Sequence, residues 1–111
     1  MRTLCVKQPW ADLIAQGKKT IELRTWKIKP GPLAIAASKK TTGNLPGGCI
    51  VAVVEVVGCR PATPEDSAAA YFKVEREGQY WAVELSHPLR LPVPIPVKGR
   101  LGLFEVELEG R

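Results

Sequence analysis

Ten prolines and ten glycines interrupt this 111-residue chain so often that long helices have no room to form. Proline removes a backbone donor and fixes φ, and glycine weakens helix and strand interiors alike. The chain must therefore build its core from short strands joined by turns. Its length is that of one domain, residues 1–111, with a single core. Hydrophobic residues are 45% and charged residues 24% of the chain, an ordinary globular mix that excludes wholesale disorder.

The segments between the breakers carry clear periodicities. Thr3–Lys7 alternates and predicts a first strand. Gln8-Pro9-Trp10 opens a short helix whose apolar face holds Trp10, Leu13 and Ile14, and Gly17 ends it. On this face core packing is favoured for Trp10 over a ligand-facing role. Lys19–Trp26 is a second strand, with Ile21 and Leu23 on one side and Thr20, Glu22, Arg24 and Trp26 on the other. Leu33–Ser38 is a third, and Lys39–Gly48 reads as an exposed, mobile loop. Gly48–Val57, the most apolar segment, fits a strand covered on both faces.

Thr63 with Glu65 and Asp66 starts a short helix over Glu65–Phe72. Gln79–Leu85 is a strand, the proline-punctuated Leu91–Val97 an edge or extended segment, and Gly102–Leu108 the closing strand. About six short strands and two short helices predict an α+β, mainly β fold. A small barrel is the expected form, because closure removes exposed sheet edges.

No apolar run approaches the ~18 residues needed to span a bilayer, and the N-terminus lacks a signal-peptide core. A cytoplasmic protein without membrane contact is expected. Cys5, Cys49 and Cys59 lie in apolar runs without a CxxC pair and read as core filler. With His87 as the one histidine, no metal site or cofactor is expected.

Charge is asymmetric. The net charge is +5, yet the first forty residues hold nine basic and two acidic side chains and the remaining seventy-one carry a net −2. A basic half attracts polyanions at long range, although solvated lysines alone give the same count. Within that half, Gly17-Lys18-Lys19-Thr20-Ile21-Glu22-Leu23-Arg24 concentrates cations around one carboxylate. Glu22 and Arg24 share a strand face, so the carboxylate can orient the guanidinium and leave its other donors for a phosphate or a base edge. Lys19 has the opposite parity and joins them only if the turn at Gly17 redirects it. Charged residues on a strand face are more often simply solvated.

Gly17, Lys19, Glu22 and Arg24 fit the G-x-K-x-x-E-x-R signature of the ASCH (activating signal cointegrator homology) domain family. Lys7-Gln8-Pro9-Trp10-Ala11 with Leu13-Ile14 resembles the family's lead-in. Trp26, the Gly31–Ser38 strand and Lys98-Gly99-Arg100 before Gly102-Leu103-Phe104 resemble the family pattern C-terminal to the signature. The resemblance implies a β-barrel similar to the PUA domain, a cleft between barrel and helix lined by the signature, and binding of RNA or a nucleotide-like ligand. Under it Gly17 makes the tight turn, Lys19 and Arg24 supply cations, and Glu22 orients them or accepts from a base. Trp10 and Trp26 are candidate stacking platforms, with core packing the alternative for each; Ser38, Lys39, Lys98 and Arg100 are candidates for the rest of the groove.

Some small members of the family are enzymes. One type resembles this chain but hydrolyses acetylated cytidine with a lysine, a threonine three residues later and a glutamate. Lys19 matches the lysine, whereas Glu22 stands where that type has threonine, so the hydroxyl nucleophile is missing. Ribonuclease activity is also ascribed to small members, and Lys19 with Glu22 would be its catalytic pair. His87, before Pro88, lies outside the signature. Glu55 interrupts an apolar strand and either faces outward or partners Arg24 or Lys19. The Pro92–Pro96 edge offers a third reading, contact with another protein.

Overall fold

The computed structural model describes residues 1–40 and 43–108. Among the described residues six strands form one sheet: β1 (Arg2–Val6), β2 (Ile21–Arg24), β3 (Gly31–Ala37), β4 (Cys49–Pro61), β5 (Trp81–Pro96) and β6 (Leu103–Glu105). Their order is β2-β5-β4-β3-β1-β6. β1 pairs with β3 in parallel, and every other pairing is antiparallel. The sheet curls into a half-barrel of PUA-like form, and its edges, β2 and β6, are short. Residues 41–42 of the expected Lys39–Gly48 loop lie outside the described residues.

β4 and β5 form the long ribbon that produces the curl. Their register shifts between Ile50 and Ala52, between Val53 and Glu55, and between Val56 and Gly58. Each irregularity bends and twists the ribbon locally. The first lets Val51 and Ala52, neighbours in sequence, both enter the main core. That core gathers Leu4, Ile14, Ile28, Leu33, Ile35, Val54, Val56 and Val83 inside the curl. The sheet's other face buries Ala34, Ala36 and Ile50 beneath Leu91, Ile95, Phe104 and Val106. Apolar residues on both faces of β3 and β4 explain their unbroken hydrophobic stretches.

The proline-rich segment is not a separate strand but the second half of β5, continuous with the expected Gln79–Leu85 strand. β2 pairs only with Trp81–Glu84, so the Leu91–Pro96 half has a neighbour on one side only. Val97 donates its N–H to the Gly48 carbonyl at 3.1 Å. Pro96, next to Val97, therefore has its donor-less nitrogen turned away from β4. Pro92 and Pro94 fall in the register shift between Ile50 and Ala52, where Leu91–Pro94 have no ladder partner to lose.

Two short helices flank the sheet. α1 (Trp10–Ala15) buries Ala11, Ile14 and Ala15. This corrects the expectation for Trp10, which is 38% exposed. A helix of barely two turns can bury only a narrow stripe, and the 11/14/15 stripe excludes position 10. The expected Glu65–Phe72 helix is a 3-10 turn (Pro64–Asp66) followed by α2 (Ser67–Ala70). Asp66 fixes its start: the carboxylate accepts the Thr63 N–H at 2.8 Å and the Arg60 fork through two bonds of 2.8 Å. Arg60 also reaches Glu84 on β5 at 3.2 Å. The helix thereby seats Ala70 over a small core of Ile21, Ala62, Val74 and Ala82.

Candidate functional site

The turn after α1 aims the signature. Gly17 adopts φ +78°, a left-handed conformation that suits glycine. The N–H groups of Lys18 and Lys19 then both bond to the Leu13 carbonyl, at 3.0 and 3.1 Å. Thr20 crosses to α2, donating its N–H to the Ala69 carbonyl at 3.1 Å. Lys19 leaves this turn pointing inward and is 5% exposed.

Its ammonium has three protons, and three acceptors surround it. Nζ donates to the Ile21 and Ala70 carbonyls, both at 2.7 Å, and lies 3.2 Å from Glu22 Oε1. Burial lowers the Lys19 pKa, and the Glu22 carboxylate partly opposes that. Glu22, 7% exposed, is the hub of the cluster. Its Oε2 accepts Arg24 Nε at 2.9 Å and Nη2 at 2.7 Å. Nη2 also donates to the Cys5 carbonyl on β1, at 3.2 Å. Arg24 thus spans from the β2 edge of the half-barrel to β1, beside the other edge. Among the described residues the two protons of Nη1 have no protein acceptor, and the Trp26 ring centroid lies 6.0 Å from the guanidinium carbon.

A cleft of about 1710 Å³ opens over this cluster. Of the sequence-derived candidates, Lys19, Glu22, Arg24, Trp26, Ser38, Lys39, Lys98 and Arg100 line it. Lys39, Lys98 and Arg100 are exposed. Gly99, between the last two, packs toward Cys5: a Cβ there would lie 3.5 Å from Cys5 Sγ. The final loop is thereby brought to the same carbonyl-bearing residue that Arg24 grips.

Gly17 is not on the cleft. It borders a separate cavity of about 140 Å³ with His87 and Pro88. Glu55 makes no ion pair with Lys19 or Arg24; Glu22 is the acid that serves both. Burial pushes the Cys5 thiol above its ordinary pKa, with Arg24 partly offsetting, so it stays protonated near neutrality and is no ready nucleophile. Among the described residues no three His, Cys, Asp or Glu side chains group so as to hold a metal ion, and no helix is long and apolar enough to cross a membrane.

Sequence reasoning missed part of the lining. Lys7, Tyr71, Phe72 and Tyr80 also border the cleft, beside Trp10, which the sequence offers as a stacking ring. The available signal was the adjacent pair Tyr71-Phe72 at the end of the expected Glu65–Phe72 helix, since neighbouring helical positions cannot both face one narrow buried stripe.

Comparison with known proteins agrees with this geometry. The model of the ASCH domain family matches residues 4–94. No functionally curated protein matches the sequence. Among solved structures, the ASCH protein from Zymomonas mobilis superposes with a TM-score of 0.72 at 15% identity, over 97% of this chain and 88% of that one. Two single-residue variants of it superpose with TM-scores of 0.73 at 15% and 14% identity, over 97% of this chain and 89% and 91% of theirs. At such identities the likeness is one of fold. The family match over most of the chain, with the signature assembled around one buried carboxylate, shows that the chain belongs to the ASCH domain family.

Proposed function

We propose that the cleft binds single-stranded RNA, or a nucleotide-like ligand from it, without catalysing a reaction. The observation that carries this reading is the state of Arg24. Glu22 holds the guanidinium from two of its nitrogens, and the third, Nη1, keeps two donors without a protein acceptor among the described residues. A guanidinium fixed in advance loses little freedom on meeting a phosphate or the acceptor edge of a base. Exposed Lys39, Lys98 and Arg100 on the same cleft supply the cations that a phosphodiester chain needs. Trp26 offers a ring beside Arg24, and single-stranded RNA presents bases that can be stacked and read on their edges. A cytoplasmic location suits such a partner.

Lys19 enters this reading as support, not as a ligand-facing charge, because its three donors are already engaged. The same fact weakens the hydrolase alternative: the ammonium and the carboxylate that would move protons are spent on each other and on Arg24. A filter-binding titration against single-stranded RNA at rising salt tests the proposal. Binding should weaken steeply with salt, and Arg24→Ala should lower the salt slope by about one unit if the contact is to phosphate. Absence of binding at low salt, or no effect of Arg24→Ala, would overturn it. Turnover of acetylated cytidine or cleavage of RNA, lost in folded Glu22→Gln protein, would replace binding with catalysis.

A further inference from the structure

Two aromatic side chains stand open at the cleft. Tyr71 and Phe72 are 44% and 54% exposed, and both line it. Tyr71 closes α2 in the left-handed conformation, φ 56° and ψ 35°. Glycine is the low-cost residue for that position, and a bulky ring there is an outlier. Phe72 is braced by Tyr80, whose ring meets it edge-on at a centroid distance of 5.6 Å. The Phe72 ring is therefore held in orientation while more than half of the residue stays open to solvent.

Lys19 ties this pair to the signature. Its Nζ donates at 2.7 Å to the carbonyl of Ala70, the residue immediately before Tyr71, and sits 3.2 Å from Glu22, which clamps Arg24. One buried ammonium thus sets the distance between the aromatic pair and the guanidinium.

We propose that Tyr71 and Phe72 form the surface on which one unstacked base of a single-stranded RNA lies, and that Lys19 is the positioning residue that keeps this surface in register with Arg24. The proposal rests on the RNA-binding reading above. The occupant follows from the chemistry of the cleft. Flat π faces accept any base, and the cations on the same cleft, Lys39, Lys98 and Arg100, accept the flanking phosphates. An uncharged apolar partner would use the rings and leave those cations without partners; a nucleic acid uses both.

The test compares a short single-stranded RNA with the same oligomer carrying abasic sugars, by fluorescence anisotropy. Tyr71→Asn keeps a residue that tolerates left-handed backbone while removing the ring. Phe72→Leu keeps apolar bulk against Tyr80 without the π face. Each should weaken binding of intact RNA by roughly 5- to 150-fold, the range of one base–aromatic stack, and leave abasic binding unchanged. Lys19→Met should shrink the ratio of intact to abasic affinity while preserving the salt slope, which counts phosphate contacts; a purely structural lysine would not separate the two. Equal binding of intact and abasic RNA by the unsubstituted protein overturns the inference even if a variant fails to fold. So does wild-type affinity in both ring variants, and in either case the RNA-binding reading stands. Failure of the unsubstituted protein to bind either oligomer removes both.

Discussion

Replacing Lys19 by methionine removes a buried charge while nearly conserving the length of the side chain. The Ile21 and Ala70 carbonyls each lose a charged donor, and Glu22 loses one of its two cationic partners. Hydrogen bonds to charged groups are worth ~1.5–3 kcal/mol apiece. Against their loss stands recovery of the ammonium's desolvation penalty, several kcal/mol in real proteins. Arg24 remains on Glu22, so the carboxylate is not orphaned. The balance is a destabilisation of ~2–3 kcal/mol, a large share of the ~5–15 kcal/mol expected for a domain this size. Urea unfolding followed by circular dichroism should show a midpoint lower by ~1–2 M with an unchanged slope. Glu22→Gln should cost a similar amount, because it strands Lys19 without a countercharge. The double variant should fall short of the sum by ~1–3 kcal/mol, since the two residues serve one cluster. Titration adds an independent check. Burial lowers the Lys19 pKa, so the unfolded chain holds that proton more tightly than the folded one. Stability should therefore rise with pH between the folded value and the ordinary lysine value, and Lys19→Met should abolish that rise. A Lys19→Met protein within ~0.5 kcal/mol of wild type, or strict additivity in the double variant, would refute the account of Lys19 as the buried pin of the site.

Three further outcomes are expected. The Arg60 guanidinium holds the Asp66 carboxyl at about 2 against an ordinary 3.8. Its contribution is present above pH 3.8 and lost as pH falls toward 2; with Arg60 partly exposed it is worth ~1–2 kcal/mol, and acid unfolding of Asp66→Asn should lack that component. Gly58→Ala would drive a Cβ into the Glu84 carboxylate and force it from Arg60. A thermal scan should show a loss of ~0.5–1 kcal/mol that shrinks in a Glu84→Ala background. Gly17→Ala meets both a positive φ and a Cβ contact with Pro88 Cγ at 3.3 Å, so its urea midpoint should drop by the equivalent of ~1–2 kcal/mol.

Strand positions were legible because their signal is local. Alternation in β2 set Ile21 and Leu23 apart from Glu22 and Arg24. The first two pack on the small core, although Leu23 also borders the cleft, and the second two meet on the cleft. Thr20, expected beside them, borders the separate cavity instead. Gly17 was legible as a turn because a positive φ favours one residue type. Core packing was wrongly favoured for Trp10 because three apolar residues at helical spacing cannot say which narrow stripe of a short helix meets the sheet, here Ala11, Ile14 and Ala15. The Pro92–Pro96 segment read as a separate piece. Whether a strand continues through it depends on which side its missing donors face, and only the neighbour β4 decides that.

The residue types and their spacing were enough to determine a mainly β domain and a charged cluster of ASCH type, since turn residues, alternation and a short motif act over a few neighbouring positions. The assignment of the cluster's charges was made by tertiary structure alone. Lys19 has its three donors engaged within the protein because the carbonyl of Ala70, fifty-one residues away, arrives to accept one of its hydrogen bonds. Arg24 was left with open donors because curling of the sheet brings Cys5 to one of its nitrogens and none of the described residues to another. Tyr71 and Phe72 joined the cleft because α2 docks beside β2. Such choices depend on which backbone groups meet across the fold, and no local pattern of side chains encodes them.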